Sequence, residues 1–352
     1  MTHNACKSKK FLQLERLGYR LFALCSGVVL RQVLSDGHIR FLLIANVLIL
    51  LVAALLSRGA FLDPYNFQSM ATQLPEIGLL AIAIDLSVIS SANLSVIVAA
   101  LTCKALFAGA DSSAGLGWLF STSFVIVALT VGTLCGLLNG LLVSKAGYAP
   151  ILATLGTQLL FLGLATVLTG GPAVILGDVQ PLSTIGNGDL FGIPIPFLLF
   201  LTVSIAISLL LSRTRFGFRL YLMGSNSKAA HFAGIQTATV TLVTYTLAGS
   251  LAALSGIISS TRSASAKADF GVSYLLIAIL IAVMGGVNPS GGYGKILGLA
   301  LAGVALQMLS STLSFIGAND FLKDFMWGLL LLLSISLVGS SLFKAKPKPV
   351  PS

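Results

Sequence analysis

Residues 41–57 read FLLIANVLILLVAALLS, with no charge and only Asn46 and Ser57 as polar groups. One crossing of a bilayer takes about 20 mostly apolar residues, so this stretch is a membrane span, and its neighbours have to be read in the same light. Before it lies a basic segment holding Lys7, Lys9, Lys10, Arg16, Arg20, Arg31 and Arg40, which belongs on the cytoplasmic side. Residues 21–30, LFALCSGVVL, are apolar but too short to cross; with Arg31 and a full span after them, they read as an interfacial helix and not as a removed signal.

After it, apolar runs recur near residues 75–90, 92–110, 117–143, 150–168, 195–212, 237–260, 271–287, 294–313 and 325–343. The expectation is therefore an all-α integral membrane protein of about ten transmembrane helices with both termini cytoplasmic. Its parts are a cytoplasmic or interfacial segment 1–40, a transmembrane domain 41–343 and a cytoplasmic tail 344–352. Composition agrees. Of 352 residues 56% are hydrophobic and 9% charged, with mean hydropathy +0.98, whereas soluble domains carry about 25% charged residues.

The ten-span count also sorts the charges. It places sixteen basic residues inside, among them Lys145, Arg213, Arg215, Arg219, Lys228, Lys295, Lys344, Lys346 and Lys348, against Arg58, Arg262, Lys267 and Lys323 outside. Shifting the count by one span would move the later clusters to the wrong side. The net charge of +10 is thus a topology signal, and no nucleic-acid partner is expected. Cys6, Cys25, Cys103 and Cys135 are scattered, as are His3, His38 and His231, which leaves neither a metal-ligand cluster nor a nucleophile with its base. No catalytic residue and no cofactor is expected in this chain.

Three features interrupt the apolar pattern. The second and third spans contain Asp85 and Lys104 and are joined, on this reading, by the polar cluster at residues 90–95 (SSANLS). An ionised Asp85 at mid-helix costs on the order of 3 kcal/mol, so it should face a wet cavity or a partner. Lys104 is one candidate partner, and snorkelling to the outer interface is the other use of its long side chain. The fourth span carries Gly132, Gly136 and Gly140 on one helix face, where a second backbone can approach closely. The longest inner connection, residues 213–236 (RTRFGFRLYLMGSNSKAAHFAGIQ), has turn formers at Gly224, Ser225 and Asn226; Ser225 or Asn226 is placed to cap a short helix beginning near Lys228.

At this loop the chain resembles a known group. Matching pieces are Asn139-Gly140-Leu141-Leu142-Val143, Ala153-Thr154-Leu155-Gly156-Thr157, Thr169-Gly170-Gly171 and Arg213-Thr214-Arg215-Phe216-Gly217. Gly224, Asn226, Ala229, Ala230, Gly234 and Ile235 follow, then Gly285-Gly286, Ser290-Gly291-Gly292 and Gly294. In order and spacing these resemble the ten-span permease subunits of bacterial ABC importers for ribose and related monosaccharides, a group that includes autoinducer-2 permeases. The resemblance runs from about residue 41 to 343.

The resemblance implies a permease in the bacterial inner membrane, surrounded by lipid. Its partners would be ATP-binding subunits that hold ATP and Mg, a second permease (the same chain or a paralogue) and a periplasmic sugar-binding protein. Arg213, Arg215, Gly224, Asn226, Ala229, Ala230 and Gly234 would then form the coupling element, with Ala229 and Ala230 bedding against the ATP-binding subunit. Small neutral groups, with Ser90, Asn93, Ser95 and Asn139 as candidates, would line a path at the dimer interface. The outer loop at residues 169–194 would be a contact for the binding protein.

In one place the family pattern fails. Its Ser-Gly-Gly-Ile-Asp-Leu-Ser-Val-Gly segment has its register-preserving counterpart at residues 90–97, with Asn93 at the position of the aspartate. A literal Ile84-Asp85-Leu86-Ser87-Val88 occurs earlier and would shorten the second span. No ATP site is present: Gly291-Gly292-Tyr293-Gly294-Lys295-Ile296 has Pro289 where a phosphate loop needs its first Gly and Ile296 where it needs Ser or Thr. The alternative class is an ion-coupled secondary transporter or channel that uses Asp85 and Lys104 as a relay.

Overall fold

The computed structural model describes residues 36–83, 85–107, 114–177, 179–288 and 291–339. The basic segment before Asp36, with its expected interfacial helix, and the tail after Gly339 lie outside these residues, as do Asp111, Asp178, Pro289 and Ser290.

Thirteen α-helices follow one another among the described residues. They are α1 (Gly37–Leu56), α2 (Pro64–Ala83), α3 (Val88–Leu106), α4 (Ala114–Ser144), α5 (Pro150–Thr169), α6 (Gln180–Asn187), α7 (Ile195–Arg213), α8 (Arg215–Ser225), α9 (Ser227–Phe232), α10 (Thr237–Arg262), α11 (Tyr274–Met284), α12 (Ile296–Phe315) and α13 (Asp320–Gly339). Seven of them, namely α1, α3, α4, α5, α7, α10 and α12, are long and apolar enough to cross a membrane. α11 is apolar but short. α2 carries Asn66, Gln68, Gln73 and Glu76, and α13 carries Asp320, Lys323 and Asp324, which lowers the hydropathy of both.

The boundaries of the second and third spans differ from expectation. α2 starts at Pro64, where Asp63 accepts a hydrogen bond from the Tyr65 amide at 2.9 Å; proline at a first helical turn gives up a donor that has no partner there anyway. The helix ends at Ala83, and α3 begins at Val88. The joint is therefore the Asp85–Ser87 turn, and the polar cluster at residues 90–95 lies wholly inside α3. Helix tolerates that cluster because Ser91 and Ser95 turn back on their own backbone. Ser91 donates to the Val88 carbonyl at 3.0 Å and Ser95 to the Ala92 carbonyl at 2.7 Å.

α3 and α10 form the axis of the molecule. One apolar core surrounds Leu79, Leu80, Val88, Leu251, Ile258, Leu280 and Leu299; a second surrounds Ile97, Phe124, Phe161, Leu182 and Ile257, so both helices contribute to both. α10 lies along α4 on the glycine face foreseen in the sequence. A methyl group on Gly132 would come 2.5 Å from the Ala253 β-carbon, and one on Gly136 would strike the Tyr245 carbonyl. The two backbones touch, which maximises dispersion contacts where no hydrophobic force acts between helices.

The ends of α10 distinguish the two ends of the bundle. Beside Thr237 stand α8 and α9. Near Arg262, β1 (Val174–Ile175) pairs antiparallel with β4 (Ser265–Ala266), with Val174 opposite Ala266. On the same connection from α5 to α7, β2 (Asp189–Leu190) and β3 (Ile193–Pro194) make a hairpin. Its turn residues Phe191 and Gly192 have φ of 54° and 80°.

Candidate functional site

Two interruptions of the helical pattern and one surface platform gather the polar chemistry of the described residues. The first interruption is the Asp85–Ser87 turn. The Asp85 carboxylate accepts from the Ser87 amide at 2.9 Å, the Ser87 hydroxyl at 3.1 Å and the Asn139 side-chain amide at 2.9 Å. Asn139 also donates to the Ser87 hydroxyl at 2.7 Å. All three residues are buried. Asp85 thus stands at the N-terminus of α3, where the helix dipole and unpaired amides favour an anion, and Asn139 on α4 fixes it from the side. Lys104 does not take part: it is exposed in the last turn of α3, sixteen residues and about 24 Å along the helix. The acid needs neither a basic partner nor a wet path to explain its place.

The second interruption joins α10 to α11. At eleven residues α11 is about 16 Å long, roughly half of a bilayer core. Residues 263–273 before it are non-helical. Asn93 donates to the carbonyls of Ala268 and Phe270, both at 2.9 Å. Since Asn93 lies thirteen residues before the end of α3, these carbonyls sit about 20 Å down that helix. Non-helical backbone at such depth survives where protein pairs it or a cavity wets it; here Asn93 pairs it. A small cleft with room for about one water adjoins it, lined by Glu76, Asn93, Ser255, Ser259, Phe270 and Tyr274 among others.

Glu76, 1% exposed, is the deepest charge of this region. Arg262, at the end of α10, grips it with two bonds, Nε to Oε1 at 2.6 Å and Nη2 to Oε2 at 3.2 Å. This fork-to-fork geometry is the strongest way to pair a buried carboxylate. Ser255 donates to the Glu76 carbonyl at 2.6 Å. Sequence reading missed this pair, because Arg262 had been sorted with the outer loops and Glu76 passed over as part of an apolar run. The available signal was that Glu76 directly follows Pro75 within a span, where an acid demands a cation.

The surface platform is the 213–236 loop. Thr214 caps α8, accepting from the Gly217 amide at 3.3 Å, and Asn226 caps α9, accepting from the Ala229 amide at 3.0 Å. Gly217 is buried where a side chain would strike the Leu211 carbonyl. Arg213, Arg215, Arg219, Lys228 and Ala229 are exposed, and so is Gly234 with φ of 80°. Ala230 is not: at 4% exposure it faces its own chain. The exposed apolar group of α9 is Phe232, at 89%.

The structure thus brings Asp85 and Asn139 together and sets Asn93 apart in the cleft. Ser90, Asn93, Ser95 and Asn139 are all buried within the single chain, and none presents a surface to a second one. Among the described residues no group of three or more His, Cys, Asp or Glu is placed to hold a metal.

Comparison with known proteins agrees with this architecture. Residues 66–335 match the family described as branched-chain amino acid transport system / permease component. The ribose import permease protein of Bacillus subtilis is 33% identical over 291 residues, which cover 82% of this chain and 89% of that one. The autoinducer 2 import system permease protein of Photorhabdus luminescens is 37% identical over 221 residues, 61% of this chain and 66% of its own. Its counterpart in Yersinia enterocolitica is 31% identical over 271 residues, covering 76% and 80%. No solved structure matches. With a family match over most of its length and seven helices fit to cross a membrane, the chain belongs to the multi-pass permease components of ABC importers of the ribose and autoinducer-2 type.

Proposed function

We propose that this chain is the membrane-spanning subunit of an ATP-driven importer that carries a monosaccharide or similar small polar solute into the bacterial cytoplasm. The observation that carries the reading is the 33% identity to a ribose import permease along 89% of that protein's length. On this reading α2, α11 and α13 cross as well, giving ten spans with both termini on the cytoplasmic side of the inner membrane. The basic residues of α8 and α9 then face the cytoplasm.

ATP and Mg belong to a separate ATP-binding subunit, present as two copies or two domains, and a second permease completes the pathway. A periplasmic binding protein delivers the solute to the β-strand end. α8 and α9 form the docking element, through Ala229 and Phe232, whereas Ala230 supports α9 from below. Of the four path candidates, Asn93 borders a cleft and is assigned to the wall of the solute path. Ser95 bonds its own helix and Asn139 the Asp85 turn, and Ser90 is buried.

The test is to purify the tagged chain from its native host in mild detergent and identify what accompanies it by mass spectrometry. The expected result is an ATP-binding subunit in the complex, lost on Phe232→Asp while the chain itself remains folded. A chain recovered alone, and active in uptake driven by an ion gradient, would overturn the reading. Ala230→Asp is the poorer probe, because it would disturb the seat of α9 before it touched a partner.

A further inference from the structure

The glycine-rich turn at residues 291–295, which resembles a phosphate loop without being one, is packed between two other elements. On one side is the end of α8. Gly224 lies so close to Gly291 and Gly292 that a methyl group on it would strike the Gly292 amide nitrogen, and one on Gly292 would come within 3.1 Å of the Ser225 backbone. Gly291 and Gly292 have φ of 84° and 91°, a region L side chains rarely enter. The Tyr221 hydroxyl donates to the Gly294 carbonyl at 2.8 Å, and burial pushes its phenol above the ordinary value, so it stays a donor.

On the other side is the start of α1. Lys295 pairs with Asp36 at 2.7 Å. The His38 ring meets the Met284 carbonyl at 3.0 Å and rests on Gly286, which has φ of 78°. α12 leaves this turn and packs along α1 and α2.

We propose that this three-way joint, with Tyr221, Gly224 and Gly292 as positioning residues, transmits displacement of α8 and α9 to α1, α11 and α12. The inference rests on the reading of α9 as the docking element for an ATP-binding subunit. Backbone packed on backbone has no side chain to absorb a shift. Movement of α8 therefore moves the turn, and a rigid α12 carries it to its far end at Phe315. A bulkier residue at the joint separates the two surfaces, and loss of the Tyr221 hydroxyl unfastens them.

The test uses the complex with its native ATP-binding subunit, with Cys6 and Cys25 changed to serine and spin labels at Leu159→Cys and Phe315→Cys, both exposed. The distance between the labels is measured with and without ATP and vanadate. In the parent chain, nucleotide should shift the distance. In Gly292→Ala and in Tyr221→Phe the ATP-binding subunit should still co-purify, and the shift should be lost. Tyr221→Phe keeps the packing intact and decides the matter if Gly292→Ala does not fold. Gly163→Ala, at a glycine with open space around it, should shift as the parent does. A parent without any shift, or a shift retained in Tyr221→Phe, would overturn the proposal. Failure of the ATP-binding subunit to bind the parent would instead overturn the functional reading.

Discussion

The two interruptions of the bundle solve one problem in opposite ways. At Asp85–Ser87 the break is short, and three buried side chains bind it, two on the turn itself and one from α4. At residues 263–273 the break is long, held by Asn93 and by Glu76 with Arg262, and it borders a cleft. Backbone amides and carbonyls freed at membrane depth need partners in both places. The difference is whether water can stand in when a partner is removed. The short break is held by buried side chains alone, and the long one also borders a small cleft.

The largest effect should come from Arg262→Met. Removing one member of a buried pair leaves the other uncompensated, at roughly 3–5 kcal/mol; since the Arg262 side chain is 30% exposed, about 3 kcal/mol is expected. Unfolding of the purified protein in mild detergent titrated with a denaturing one would measure it. The double variant Glu76→Gln with Arg262→Met should recover most of the loss, since no charge remains buried. If the double variant is as unstable as the single one, the ion pair is not what holds the long break.

Next comes Asp85→Ala at the short break. The Ser87 amide loses its acceptor and the Asn139 side chain one of its two at a buried turn, which costs about 2 kcal/mol. Asp85→Asn preserves the shape and should lose less, with uptake retained in energised cells. Uptake abolished by Asp85→Asn at normal expression and stability would return the acid to an ion-coupling role and erase the contrast between the breaks.

How much of this was written in the sequence depends on the range of each interaction. Seven of the spans, the Gly132–Gly136 seam and the Asn226 cap were legible because they repeat at helical spacing or act within three residues. Glu76 and Arg262 are 186 residues apart, and Asn93 reaches 175 and 177 residues along the chain. Periodicity carries no information at such distances. The misplaced joint has a more local cause. Ser90, Ser91, Asn93 and Ser95 look like a turn by composition, yet Ser91 and Ser95 satisfy themselves on their own helix and Asn93 is spoken for elsewhere. The direction in which Ala230 faces was equally out of reach, since its neighbour Ala229 is the same residue type facing the other way.

A smaller effect is expected for Asn93→Leu, although it frees two carbonyls at once. Each unpaired carbonyl would cost about 1–3 kcal/mol in a dry site, but the adjoining cleft lets water replace the amide. A loss near 1 kcal/mol is the expected outcome. Accessibility should change more than stability: in an Asn93→Leu background, Ala268→Cys should react faster with a water-soluble maleimide than it does beside Asn93. A loss as large as that of Asp85→Ala, with no gain in labelling, would show the long break to be as dry as the short one.

The smallest effect belongs to Lys295→Gln, and it completes the comparison because α11 has an ion pair near each end. Glu76 with Arg262 stands near its start, deep in the bundle, whereas Asp36 with Lys295 stands beyond its end with Lys295 61% exposed. Exposed pairs contribute about 0–1 kcal/mol, so a loss of at most about 0.5 kcal/mol is expected. The Lys295 ammonium holds the Asp36 carboxyl below its ordinary 3.8. A carboxyl lowered in this way adds stability that is fully present above its unfolded value and is lost as pH falls through the folded one. The contribution should therefore be flat from about pH 5 to 8 and fade only in stronger acid. It should also shrink as salt is raised, whereas the contribution of Arg262 should not, because screening reaches exposed charges far more than buried ones. Equal salt sensitivity of the two variants would mean that Glu76 is open to water, and the buried character of the long break would have to be given up.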